Sequence, residues 1–129
     1  MTEGLILGVS GWRGFTDYDK FCEVVESAVK TFDHGGITAI VSGGARGADA
    51  LAERYAREKD IPLYVFKPDW KTLGKRAGPL RNADIIAKCT HLVAFPNLEE
   101  GKGTQDAIRK ARKRGIPVYE CPVTIEKRE

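Results

Sequence analysis

The feature that most constrains this chain is a repeated alternation: a short apolar run, a turn rich in glycine, then a stretch with apolar residues at helical spacing. Leu5 to Val9 runs into Ser10-Gly11-Trp12-Arg13-Gly14, and Ile37 to Val41 runs into Ser42-Gly43-Gly44-Ala45-Arg46-Gly47. His91 to Phe95 is closed by Pro96, and after a loop from Asn97 to Lys102 comes Gly103-Thr104. Pro62 to Phe66 and Ile116 to Glu120 complete five apolar runs whose length and flanking turn residues predict buried strands. Between them, Phe21, Val24, Val25, Ala28, Val29 and Phe32 mark one face of a helix, as do Ala48, Leu51, Ala52, Tyr55 and Ala56. Thr16 with Asp19 resembles a capping box that would open the first of these. Lys67 to Gly78 reads as a long polar connection, and Pro79 suits the first turn of a third helix with Leu80, Ala83, Ile86 and Ala87 as its stripe. Gly103-Thr104 opens a fourth helix, with Ala107, Ile108 and Ala111 inward and Gly115 as its stop.

Strands that alternate with helices need right-handed crossovers and a parallel sheet covered on both faces. The predicted fold is therefore α/β, a Rossmann-like three-layer sandwich around a five-stranded parallel sheet in the order 3-2-1-4-5. At 129 residues there is room for one domain, expected over 1–122, followed by a charged tail at 123–129 that frays. With 42% hydrophobic and 30% charged residues, and no run of about 18 apolar ones, disorder and membrane insertion are excluded. The start, Met1-Thr2-Glu3-Gly4, lacks the pattern of a signal peptide, so a cytoplasmic location without a membrane partner is expected. Cys22, Cys89 and Cys121 form no Cys-x-x-Cys pair and read as small core residues; His34 and His91 stand apart, so no metal site and no cofactor are expected. The net charge of +3 is local: Arg109, Lys110, Arg112, Lys113 and Arg114 supply five of 21 basic residues, near a helix C-terminus where the macrodipole favours cations.

In open parallel sheets ligands bind beyond the carboxyl ends of the strands, where strand order reverses. The three glycine-rich segments all follow strands, so the predicted order gathers them at one crevice. Gly43, Gly44 and Gly47 would let backbone N–H groups approach an anion at the start of a helix, and Gly103-Thr104 offers a second site of that kind. Arg13, Arg46 and Arg81 are candidates for bidentate phosphate contacts. Asp49 and Asp106 sit near helix N-termini, where either capping or chemistry explains a carboxylate. Trp70, beside Lys71 and Lys75, is placed to stack on a base or to cover the sheet edge. Neither loop is a Walker A motif or a dinucleotide fingerprint, which disfavours an ATPase or a dehydrogenase.

Ser42 to Asp49, Asp69-Trp70, Ala77-Gly78-Pro79-Leu80-Arg81-Asn82, Ala94-Phe95-Pro96 and Gly103-Thr104-Gln105-Asp106 together resemble the YspA/YpsA-like branch of the SLOG superfamily, over most of the chain. That superfamily includes the Lonely-guy phosphoribohydrolases and the DprA/Smf proteins, and the resemblance implies a nucleotide-derived ligand and homo-oligomerisation. Arg81 matches the arginine that the phosphoribohydrolases carry 15 residues before the proline of Pro-Gly-Gly-x-Gly-Thr-x-x-Glu, here Pro96. Two departures accompany the match. The loop from Asn97 to Lys102 is longer, and Ala107 occupies the position of the catalytic glutamate, with Asp106 one residue early and turned by about 100°.

Three functions are consistent with these residues. The first is a binding or sensor module for a nucleotide derivative, an ADP-ribose-like molecule or a nucleoside monophosphate, held by Ser10, Gly11, Arg13, the loop from Ser42 to Gly47 with Ala45, Asp49, Trp70, Lys75, Asn82, Pro96, Gly103 and Thr104. The second is an N-glycosidic hydrolase in which Asp106 and Arg81 are catalytic. The third, less favoured, is a DprA-like binder of single-stranded DNA through Trp70, Lys71, Lys75 and the basic fourth helix.

Overall fold

The computed structural model describes residues 4–97, 99 and 101–124. Five parallel strands form one sheet in the order β3-β2-β1-β4-β5, the order expected for a Rossmann-like sheet that gathers the three turns. The strands are β1 (Leu5–Gly11), β2 (Ile37–Ser42), β3 (Leu63–Val65), β4 (His91–Phe95) and β5 (Val118–Glu120). The helices are α1 (Tyr18–Phe32), α2 (Ala48–Glu58), α3 (Trp70–Leu73), α4 (Ala77–Lys88) and α5 (Lys102–Lys113), with a 3-10 turn at Gly74–Arg76 joining α3 to α4. β1 and β4 pair from Leu7 with His91 to Gly11 with Phe95, and these neighbours lie at the point where strand order reverses.

The pleat sends alternate residues to opposite faces, and each face has its own helices. Leu5, Leu7, Val9, Val93 and Phe95 pack with Phe21, Val24, Val25 and Ala28 of α1 and with Ala48, Ala52, Tyr55 and Ala56 of α2. Val41, Leu92 and Ala94 face Ile85 and Ile86 of α4 and Ile108 and Ala111 of α5. Each fully buried side chain of this size contributes roughly 1.5–3 kcal/mol. Among the described residues, no helix is long and apolar enough to cross a membrane.

Several boundaries differ from expectation, each for a local reason. Asp17, not Thr16, caps α1: its backbone is extended and its carboxylate accepts from the Lys20 N–H at 3.1 Å, where the dipole favours a negative charge. β1 and β2 run on through Ser10-Gly11 and Ser42, while β3 and β5 are shorter than expected because only three residues of each join the ladder. The connection from Lys67 to Gly78 is largely helical: Asp69 caps α3 through the Thr72 N–H, and α4 begins before Pro79. Its inward face is built from Ala77, Gly78, Asn82, Ile85 and Ile86, so of the expected stripe Ile86 is buried while Leu80, Ala83 and Ala87 are exposed.

Cys89 is buried, but Cys22 and Cys121 are only partly so, and all three are free. His34 and His91 are neighbours, with ring centroids 5.2 Å apart. No group of three metal-binding side chains exists among the described residues. Packing continues past Pro122: Val123 is buried and its N–H donates to the Pro96 carbonyl at 2.8 Å. The rest of the predicted tail, 125–129, lies outside the described residues, as do 1–3.

Candidate functional site

The carboxyl ends of β1 and β2 and the first turns of α2, α4 and α5 surround a cavity of about 520 Å³. Val9 and Ile85 are its apolar elements; Ser10, Gly11, Asp49, Asn82 and Thr104 are polar, and Arg13, Arg46, Arg81 and Lys102 bring positive charge. Two smaller cavities share its rim. One, of about 360 Å³, lies among Arg13, Gly44, Ala45, Arg46, Lys67, Pro68 and Trp70. The other adjoins Arg13, Trp70, Gly78, Pro79, Arg81, Asn82, Lys102, Gly103, Asp106 and Arg109. Arg13 borders all three.

The turn after β2 is tied to its surroundings. Ser42 Oγ accepts from the Gly44 N–H at 3.1 Å and donates to Glu53 Oε2 at 2.8 Å. Asp49 Oδ2 accepts from the Ala45 N–H at 3.1 Å, and the Ala48 N–H donates to the Trp12 carbonyl at 3.3 Å. Arg81 donates to the Gly43 carbonyl. Gly47 has φ 71°, and a Cβ there would collide with the backbone of Trp12 and Arg13. This close approach fastens the β1 turn to the start of α2, and only glycine permits it. The amides of Gly44, Ala45 and Ala48 thus serve the protein itself, so of the three glycines expected to bring amides to an anion, Gly44 has its N–H engaged within the loop.

The start of α5 is different. Its N-cap is Gly101, in the left-handed region at φ 118°, and a glycine there supplies no side-chain cap to the first-turn amides. A Cβ on Gly103 would meet nothing within 4 Å. The helix begins at Lys102, one residue earlier than predicted, which brings a cation beside those amides.

Asn82 joins the two sides. Its Oδ1 accepts from Arg81 Nε at 3.1 Å, and its Nδ2 donates to the Gly103 carbonyl at 3.1 Å and to Asp106 Oδ2 at 3.0 Å. Arg81 and Asp106 are therefore connected through one buried amide. Asp106 also accepts from Lys110 Nζ at 2.6 Å and from Arg109 at 3.1 Å. Burial alone would raise its carboxyl, but Lys110, Asn82 and Arg109 outweigh that and hold it below the usual carboxylate range.

Asp49 behaves in the opposite way. Burial pushes its carboxyl up to about 6, against the lowering effects of the Ala45 N–H and of Arg81. Burial lowers the pKa of Arg81, with Asp49 opposing that shift and Arg13 adding to it. Among the described residues, Arg13, Arg46, Arg81 and Lys102 make no ion pair within 4.0 Å, whereas the ion pairs that do form lie elsewhere on α2 and α5.

The residues read from sequence divide accordingly. Ser10, Gly11, Arg13, Ala45, Arg46, Asp49, Arg81, Asn82, Gly103 and Thr104 line the main cavity. Gly44, Trp70 and Asp106 line the adjoining ones. Ser42, Gly43 and Gly47 lie behind the wall and shape it. Pro96 is buried with its carbonyl committed to Val123, and Lys75, in the 3-10 turn, borders none of the three cavities. Lys102, Trp12 and Lys67 join the lining without having been singled out. A lysine directly before Gly103-Thr104 was the available signal for the first; nothing in the sequence aims Lys67 inward.

A family model described as "YspA, cpYpsA-related SLOG family" matches residues 6–72. "Gene 61 protein" of Mycobacterium phage D29 is 41% identical over 116 residues, spanning 85% of this chain and 90% of the phage protein. The family match takes in β1, β2, β3 and the fastened turn, while Arg81, Asn82 and the start of α5 lie beyond it.

Proposed function

The chain belongs to the YspA, cpYpsA-related SLOG family, and from that premise we propose that it binds a phosphorylated nucleotide derivative, with the phosphate between Arg13, Arg81 and the start of α5. One observation carries this reading: Arg13, Arg46, Arg81 and Lys102 border a single cavity, and no carboxylate among the described residues pairs with any of them. Cations that outnumber the carboxylates of a low-dielectric cleft focus a field that favours a multiply charged anion, and Asp49, which interacts with Arg81 and Arg13, offsets only part of it. The uncapped first turn of α5 adds donors and a positive dipole end. Asn82 fixes the orientation of Arg81, so the guanidinium is held in place before a ligand arrives.

Calorimetric titration with pyrophosphate, AMP and ADP tests this. Binding is expected to weaken at least ten-fold in Arg13→Ala, whose side chain is exposed, and to weaken with added salt. Failure of all three compounds to bind at millimolar concentration would overturn the proposal.

A second reading, N-glycosidic hydrolysis, is favoured by Asp49, a cavity-lining carboxyl with its pKa near 6, where proton transfer at neutral pH is efficient. Asp106, with both oxygens engaged, would instead orient Asn82 and α5. Release of free base from AMP, lost in Asp49→Asn, would support hydrolysis; binding of AMP without release would reject it for that substrate.

A further inference from the structure

The cavity among Arg13, Lys67 and Trp70 differs chemically from the third one, which Trp70 also borders and which reaches the start of α5. It is bordered by Arg13, Arg46 and Lys67 and by the apolar faces of Pro68 and Trp70, with no carboxylate in its lining. The third cavity, by contrast, contains Asp106, which stays ionised. Trp70 is 49% exposed yet fixed in position. Asp69 caps the short helix that it begins, and a Cβ on Gly78 would come 3.2 Å from the Trp70 ring, so the indole lies close over helix α4 at its glycine. A half-exposed indole held against a helix and flanked by cations suits a planar base with a phosphate next to it.

Arg13, Ala45 and Arg46 border both this cavity and the main one, which makes them neighbouring parts of one groove. Together the two parts bring five cations, Arg13, Arg46, Lys67, Arg81 and Lys102, against Asp49 as the one carboxylate among the described residues of their linings. One phosphate leaves most of that charge unanswered, whereas two linked phosphates supply a second negative centre in the groove that Arg13 borders.

We propose that the ligand is a nucleotide carrying two linked phosphates, its base seated against Trp70 and its distal phosphate at the start of α5. This rests on the binding function proposed above and specifies the class of ligand. Stacking on an aromatic ring tolerates any base, so ADP and GDP both serve as probes.

The test is calorimetry on the full chain with pyrophosphate, AMP, ADP and GDP, for the wild type, Trp70→Ala, Trp70→Phe and Lys67→Glu. ADP and GDP are expected to bind on the order of ten-fold more tightly than AMP or pyrophosphate. Trp70→Ala should remove that advantage, Trp70→Phe should keep most of it, and the loss should be confined to ligands that carry a base. Lys67→Glu should weaken ADP without touching the fold. Equal binding of AMP and ADP, or full ADP affinity in both Trp70→Ala and Lys67→Glu, would overturn the subsite while pyrophosphate binding still supports the basin. Silence from every probe would overturn both.

Discussion

Two glycine-bearing turns border the same cavity and are built on opposite terms. The turn after β2 spends its amides on Ser42, Asp49 and the Trp12 carbonyl, and Gly47 presses against the neighbouring backbone. The turn before α5 has a glycine at its N-cap, no capping side chain, and open space around Gly103. The same residue type therefore does two jobs. In the first turn the missing side chain lets chain segments meet; in the second it leaves a helix end uncovered. A glycine-rich motif marks a close approach, and only the surrounding hydrogen bonds tell whether the approaching party is the protein or a guest.

Substitutions should separate the two turns sharply. The largest effect is expected from Gly47→Ala, which imposes a positive φ on a side chain and drives it into backbone: a loss of about 3 kcal/mol or more in denaturant unfolding. Arg81→Ala should come next, lowering pyrophosphate affinity by roughly 10- to 100-fold, because charged hydrogen bonds contribute about 1.5–3 kcal/mol each. If its binding loss matches that of Gly103→Ala, the distinction between a fastened and an open side is lost.

Acid then sharpens the comparison through Asp49. Its folded pKa of about 6 lies above the ordinary value of 3.8, so the folded protein holds that proton more tightly. The stability it contributes is fully present below pH 3.8 and is lost as pH rises through about 6. At about 1.36 kcal/mol per unit the change approaches roughly 3 kcal/mol. Asp49→Asn should flatten that part of the unfolding curve measured against pH, and an unchanged curve would refute the assignment. The smallest effect belongs to Gly103→Ala. Within a helix and with nothing to strike, it should leave stability unchanged or raise it by about 0.4–1 kcal/mol in thermal unfolding.

Much of this arrangement was legible in the residues. The parallel sheet followed from the alternation, its order from gathering the glycine-rich turns at one crevice, and the helix faces of α1, α2 and α5 from their apolar spacing, as the burial of Phe21, Ala52 and Ile108 shows. α4 was misread because its inward face is built from Gly78 and Asn82 as well as Ile85 and Ile86, and a search for apolar residues picks Leu80 instead. The commitment of the β2 turn was illegible for a related reason. Ser42, Asp49 and Arg81 look identical on paper whether they reach toward a ligand or toward the Gly44, Ala45 and Gly43 backbone. Distances decide that, and a single sequence contains none.

The bond between the Gly47 region and the β1 turn has a kinetic consequence. With the backbone of Arg13 held against the start of α2, the proposed ligand would meet this side of the cavity already in place. For such a ligand the expected on-rate is set by encounter and charge steering, falling steeply as ionic strength rises and showing no plateau at high ligand concentration.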